Sequence, residues 1–370
     1  MIGAELFLFV GVLLLTGLLM LYVPVMKGPD AFFGIPVSAE YYDGPEARRH
    51  LRAFRAITTL FLLAATLGLV AGAHGRWFGP GWLITILMVG LLGPTLALIP
   101  FWYLVRPHEE KPSPTEPDSD EQAAPSKWRY VSPWVEAVCL GLLLVMVALT
   151  VWRYPQLPPS IPTHWNIAGQ ADGWVPRNLL FVSFPVTMMA LMQGFWVWLL
   201  VGIARVPVQL PAERREEYRA ARERYMAVWV TWTNLGQLAM QVMFAGIVWA
   251  SFFGIERQAR GAMPPGMIVL WVSGGALMLS LPWLVVQVTR RRAAMRAIVG
   301  PGSIEHAAPT EGWIAGVFYY NKDDPSVWVE KRVGIGWTLN MARPASWVFL
   351  AVILGLPIAF TVAMLIAAPK

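Results

Sequence analysis

Charged residues are scarce in this chain. Of its 370 residues only 14% are charged, whereas 56% are hydrophobic. A soluble core does not need so much apolar surface, but a lipid bilayer does. The composition therefore excludes an ordinary soluble protein. The net charge of +6 is concentrated in a few connections, so it does not indicate a nucleic-acid partner.

Cysteine is almost missing as well. The single cysteine, Cys139, lies inside an apolar run. An intrachain disulfide is therefore impossible, and cysteine metal sites and thiol relays are excluded.

Eight long runs lack Asp, Glu, Lys and Arg: 6–26, 56–73, 81–105, 137–152, 179–204, 226–255, 267–289 and 344–369. A helix needs about 20 residues to cross the hydrocarbon core. The sequence thus predicts an all-α polytopic membrane protein with about eight transmembrane helices. Since Glu5 precedes the first run without a basic residue, we expect that run to remain as a helix rather than be cleaved as a signal peptide.

Basic residues predict the orientation. Connections 27–55, 106–132, 205–225 and 290–343 hold 23 of the 29 Lys and Arg residues, and the opposite side holds 6. The positive-inside rule places the richer side in the cytoplasm. Both termini are then extracytoplasmic, and the inner rim would attract anionic membrane lipids.

The chain divides at residues 107–127, where Pro, Ser and acidic residues predict a disordered cytoplasmic linker. Before it, residues 1–106 form a three-helix membrane part with a basic cytoplasmic connection. After it, residues 128–370 form a five-helix part.

The first cytoplasmic connection predicts a helix that begins at Pro45, with Asp43 or Gly44 as its cap. Arg48, Arg52 and Arg55 share one face, so we expect this helix to lie on the inner leaflet.

A second cytoplasmic feature lies at 313–340. The β-prone runs 313–320 and 327–332 flank the turn-rich segment 321–326, which predicts a small hairpin or flap. The adjacent carboxylates Asp323 and Asp324 could bind a cation, but two turn carboxylates fall short of the six or more oxygens that calcium requires.

The outer loop 157–178 is the most specific segment. Its prolines stiffen the chain, while His164, Asn166 and Asp172 supply hydrogen-bonding groups. Gly169 allows a turn, and Trp174 suits a membrane interface. The ligand count disfavours a metal, and Ser160 lacks the context of a nucleophile. The residue types favour a rigid turn that is structural, ligand-binding or both.

Polar residues also occur within the predicted membrane helices. Asn234, Gln237 and Gln241 are spaced by 3 and 4 residues and share one helix face. Interhelical hydrogen bonding is the favoured interpretation. The alternative is a polar cavity, with Gln193 on a neighbouring helix. Glu136 lies near a helix end, where we expect it to reach water.

The pattern LeuPro-x-x-IlePro-x-HisTrpAsn-x-x-Gly-x-x-AspGlyTrp, within 157–174, resembles the loop of SdpI-type bacterial immunity proteins and their multi-helix relatives. Residues 319–340 are similar to a motif near the C-terminus of those longer relatives. Its candidate residues are Asn321, Asp324, Lys331, Arg332 and Asn340.

The resemblance implies a polytopic protein of the bacterial inner membrane. It also implies protection against a secreted toxic peptide, or signalling through a protein partner. We therefore expect a non-enzymatic receptor or immunity protein without a cofactor, whose outer loop binds a peptide or a lipid-associated ligand. The alternatives are a transporter or lipid-handling protein, and a membrane enzyme.

Overall fold

A computed structural model describes residues 2–75, 80–110, 126–166, 169–206, 214–255, 262–299 and 311–367. This part of the chain contains nine α-helices: α1 Ile2–Tyr22, α2 Ala39–Asp43, α3 Pro45–His74, α4 Pro80–Val105, α5 Pro133–Arg153, α6 Leu179–Ala204, α7 Arg215–Phe253, α8 Pro265–Val299 and α9 Pro344–Ala367. Most of the predicted linker, residues 111–125, lies outside the described residues.

Seven of these helices, α3 to α9, are long and apolar enough to cross a membrane. Their length and composition make the chain a multi-pass membrane protein. The eighth predicted span corresponds to α1, where the apolar stretch Phe9–Val25 is shorter. Its crossing, and the side on which each terminus lies, remain predictions.

The strands form three separate two-stranded antiparallel sheets. The six strands are β1 Ser160–Trp165, β2 Ala171–Pro176, β3 Trp313–Ile314, β4 Phe318–Tyr319, β5 Trp328–Glu330 and β6 Trp337–Leu339. β1 pairs with β2, β3 with β4, and β5 with β6.

The flap, residues 313–340, is therefore β-structured as predicted, but the pairing of 313–320 with 327–332 is wrong. Each run turns back before it can meet the other. Ala315 and Gly316 have φ of 54° and 70°, and Gly334 and Gly336 have φ of 76° and 95°. Positive φ at consecutive or alternate residues is typical of tight turns, so each run closes its own short hairpin.

The described residues group into two compact units that do not follow chain order. One unit contains 1–122, 207–225 and 285–346. Its core includes Phe32, Phe33 and Ile35, which contact Phe54 of α3 and Trp102 of α4. The segment 32–36 is thus a buried turn, with Gly34 at φ 86°.

α3 starts at Pro45 with Gly44 as its cap, as the sequence predicts. It then continues without a break to His74. The basic residues Arg48, Arg52 and Arg55 are therefore part of a helix that extends into an apolar span. No helix-breaking residue separates the basic turns from the apolar ones, which accounts for this continuity. That the basic face lies on the inner leaflet stays a prediction.

The other unit contains 123–206, 226–284 and 347–370. Its core joins residues of α5, α6 and α7 to the inner side of the β1–β2 hairpin, through Ile161 and Val175. α7 begins at Arg215, so the charged segment 215–225 is continuous with an apolar helix.

Candidate functional site

The hairpin β1–β2 occupies the outer loop identified from the sequence. Its register is interrupted twice: Pro162 faces Trp174, His164 faces Gly173, and Trp165 faces Ala171. Each strand therefore carries an extra residue, which bends the hairpin. A Cβ at Gly173 would lie 2.7 Å from the Cβ of His164, so glycine is required for this close approach.

The bend brings together His164 and Asp172. His164 Nδ1 and Asp172 Oδ1 lie 2.5 Å apart. Their side chains are 69% and 47% exposed. The pair is thus rigid, polar and open to solvent, with Trp174 exposed nearby on the same strand.

Asn166 closes the turn. Its Oδ1 accepts from Gln170 N at 3.0 Å, and its Nδ2 donates to Gln170 Oε1 at 3.2 Å. Gly169, at φ 74°, donates to Asn166 O. His164, Asn166 and Asp172 thus all take part in hydrogen bonds within the turn, which agrees with the structural interpretation and leaves a ligand-binding role a prediction.

The inner side of the hairpin is anchored. Ile161 and Val175 face each other and are 1% exposed. Arg177 donates to the carbonyls of Leu157 and Pro155. Asn178 caps α6 by accepting from Phe181 N. The base of the hairpin is thus held in place by packing and hydrogen bonds, and this fixes the position of its polar tip.

Hydrolysis has little geometric support at this tip. Ser160 is four residues from His164, which is about 13 Å along a strand. Its hydroxyl donates to Val175 O at 3.2 Å. Among the described residues, no group of three or more His, Cys, Asp or Glu side chains could hold a metal.

The predicted polar helix face is closed rather than open. Gln237 and Gln241 are 0% and 1% exposed. Gln241 donates to Met189 O at 2.9 Å and to Gln193 Oε1 at 3.0 Å. Asn234 is half-buried, and its Oδ1 has no hydrogen-bond partner among the described residues.

The sequence does not reveal the hydrogen-bond partners of Glu136. Both of its carboxylate oxygens accept from Gln237 Nε2 at 3.1 Å, and Gln193 Nε2 also donates to it. We had expected Glu136 to face water from a helix end. Its spacing did not reveal that two glutamines from other helices would enclose it. The Glu136 carboxylate, with the amide donors that bind it, thus links α5, α6 and α7.

In the flap, Asn340 is fully buried and organises the predicted turn. Its Nδ2 donates to Asn321 O and Asp324 O, and its Oδ1 accepts from Asn321 N and Ala342 N. The Asp324 carboxylate accepts from Tyr319 OH at 3.0 Å and Ser326 N at 2.8 Å. These bonds engage both of its oxygens, so they support a structural turn.

The flap also contributes to an ion cluster that the sequence did not reveal. Glu330 Oε1 lies 3.1 Å from Lys27 Nζ and 2.6 Å from the Arg292 guanidinium. Asp30 pairs with Arg296 at 3.1 Å. We define Lys27, Asp30, Arg292, Arg296 and Glu330 as the ion cluster. Its members lie up to 303 residues apart, so no local pattern indicates it.

The two central members have strongly shifted acidities. Burial lowers the pKa of Lys27 to about 8, which the attraction of Glu330 only partly opposes. Burial alone would raise the pKa of Glu330, but Lys27 and Arg292 more than offset it and hold the pKa of that carboxyl well below its usual range. Burial also raises the pKa of Asp30, against the effect of Arg296.

Lys27 therefore predicts a pH dependence of stability. Its pKa is about 8 in the folded protein, against an ordinary value of 10.5. Between these values the unfolded chain binds more protons, so the free energy of unfolding rises with pH across this window. Between the two pH limits, we expect the free energy of unfolding of wild type to rise by about 2–3 kcal/mol more than that of Lys27→Met. Thermal unfolding in detergent measures this. Exposed Lys322→Met is the control, and parallel pH profiles of wild type and Lys27→Met would contradict the prediction.

The last two predicted residues follow Glu330. Lys331 is exposed, and its backbone carbonyl accepts from Lys27 Nζ. Arg332 is buried, with 6% exposure. The structure thus joins Asn321, Asp324 and Asn340 in one hydrogen-bonded turn, and it gives Arg332 no hydrogen bond to that turn among the described residues.

Two family models match parts of the chain. Residues 141–189 match a domain of unknown function, DUF1648, which covers the hairpin and the helices beside it. Residues 322–347 match a family of unknown function, DUF5808, which covers the second part of the flap. No curated protein and no solved structure matches the chain.

Proposed function

We propose that this chain is a non-enzymatic receptor or immunity-type protein of the bacterial plasma membrane, which recognises a peptide or lipid-borne ligand through the tip of the β1–β2 hairpin. One observation carries the proposal: the exposed His164–Asp172 pair is held at 2.5 Å on a hairpin whose inner side is anchored among helices. A surface that is already ordered loses little entropy when it binds.

The proposed orientation puts the hairpin outside the cell and the flap in the cytoplasm, from the distribution of Lys and Arg. The resemblance of 157–174 to SdpI-type proteins supports the immunity role. The exposed Asp172 and Trp174 suit a cationic, amphipathic peptide. The carboxylate would attract the positive charge of the peptide, and the indole would pack against its apolar side.

The transporter alternative has less support, because it needs an open polar face. Gln237 and Gln241 are instead enclosed and bonded to neighbouring helices. The enzyme alternative needs a nucleophile near His164, and Ser160 is bonded at the base of the hairpin.

The test exposes bacteria that produce the chain to a panel of secreted cationic antimicrobial peptides and measures the inhibitory concentration. We expect protection by wild type. His164→Ala and Asp172→Asn remove one charge-assisted hydrogen bond, so we expect protection to fall by about tenfold. His74→Ala, an exposed histidine outside the hairpin, should behave as wild type.

Two further results bear on the proposal. A Gln170→Cys variant should react with a membrane-impermeant maleimide added to intact cells, since Cys139 is buried. Equal sensitivity of cells with and without the protein to every peptide, with the hairpin labelled from outside, would refute the immunity role.

A further inference from the structure

The turn between β5 and β6, residues 331–336, contains an unusual buried charge. Arg332 is 6% exposed, and all three of its guanidinium nitrogens are buried without a hydrogen-bond partner among the described residues. Arginine remains charged in proteins and presents five donors. Burying a charge whose hydrogen-bond donors are unsatisfied is strongly destabilising, and within the described part of the chain no acceptor offsets this cost.

A second unsatisfied donor belongs to a side chain that passes close to the Cβ of Arg332. The indole Nε1 of Trp102 is buried and has no partner within the described part of the chain. A Cβ placed on Gly34 would lie 3.5 Å from Arg332 Cβ and 3.6 Å from Trp102 Cδ1, so the two side chains border the same point. Both groups only donate hydrogen bonds, which requires an acceptor-rich partner.

The surrounding charges also favour an anion. Arg332 is close enough to the ion cluster to oppose the protonation of Lys27. With Arg332 included, four cations there face two carboxylates, Asp30 and Glu330. Glu109 attracts Arg332 and adds a third carboxylate, while Lys331, exposed at the start of the turn, adds a fifth cation. Positive charge therefore remains in excess.

We propose that the turn 331–336 is a binding site for a phosphate group. The guanidinium of Arg332 and the indole N–H of Trp102 donate hydrogen bonds to the phosphate oxygens. Phosphate oxygens match the spacing of the guanidinium donors. Because the guanidinium nitrogens are not accessible to solvent, the turn must open to admit the ligand. The phosphate belongs either to an anionic lipid headgroup or to a small soluble molecule. This site is independent of the hairpin and of the proposed immunity role.

The experiment uses the full chain in nanodiscs and measures the unfolding temperature in two arms. One arm adds inorganic phosphate to phosphatidylcholine discs, with chloride at equal ionic strength as the reference. The other replaces part of the lipid with phosphatidylglycerol. We expect wild type to gain about 5 °C at saturation in at least one arm. A gain with phosphate identifies a soluble ligand, and a gain only with phosphatidylglycerol identifies a lipid.

Arg332→Met should unfold at the same temperature as ligand-free wild type or higher, because it removes an unpaired buried charge. It should lose the response in both arms. Arg332→Lys, which keeps the charge without the fork, should respond less than wild type. Arg219→Met, at an exposed arginine, should respond fully.

Two outcomes would overturn the proposal. One is a full response in Arg332→Met, which would place anion binding elsewhere. The other is a wild-type protein that responds in neither arm and does not broaden the ³¹P resonance of phosphate. The second measurement needs only wild type, so it remains decisive if a variant fails to fold.

Discussion

Replacement of Glu330 by Gln should lower the free energy of unfolding by about 3 kcal/mol. The carboxylate is the shared partner of Lys27 and Arg292, whose side chains are 6% and 17% exposed. Without it, two enclosed cations repel each other. Because Glu330 itself is 32% exposed, water offsets part of the loss, and we expect the lower end of the range for buried pairs. Thermal or denaturant unfolding in detergent measures the effect.

The matched control is Glu217→Gln, which breaks an exposed pair with Arg214 and should leave the free energy of unfolding nearly unchanged, because water screens exposed ion pairs. Acid provides a second readout. The pKa of Glu330 is lowered by folding, so its contribution is present above the ordinary value of 4.5 and declines as the pH falls below it. Glu330→Gln should lack this decline. Equal stability of the two glutamine variants would show that Glu330 does not stabilise the cluster.

Asn340→Ala should lower the free energy of unfolding by about 2–4 kcal/mol, because it removes the four hydrogen bonds that this fully buried side chain makes. The backbone groups of Asn321 and Ala342 that it satisfies would be left unpaired. The flap should then open locally, so limited proteolysis should cut within 313–340 faster than in wild type.

Asn321→Ala is the matched control. Its half-buried side chain accepts from Asp323 N and donates to Tyr319 OH, so it should cost about 1 kcal/mol. If the two alanine variants were cut at the same rate, Asn340 would not be the residue that holds the turn.

Local patterns predicted a polar turn at 157–178 but not the two paired strands that form it. Glycines, prolines and short polar side chains within 157–178 specify a rigid turn, and the bonds between His164, Asn166 and their partners are formed inside this segment. The pairing partner of Arg177 could not be predicted in this way. Its guanidinium donates to the carbonyls of Leu157 and Pro155, which only the packed hairpin brings within reach.

The flap shows where local patterns mislead. Asn321 to Ser326 has the composition of a hairpin turn, and it does turn, but under the control of Asn340. The strand partners are set by the glycine turns at 315–316 and 334–336. β-propensity identifies strands without specifying which strands pair.

The sequence by itself determined that this is a multi-pass membrane protein with one specific polar loop, because apolar length, sparse charge and turn residues act over short stretches of chain. Only the tertiary structure decided which distant charges meet. Lys27, Arg292 and Glu330 form one cluster, and Glu136 contacts glutamines of two other helices. Electrostatic attraction depends on distance in space, which separation along the chain does not specify. The burial of Arg332 without a hydrogen-bond partner among the described residues is likewise visible only in that folded arrangement.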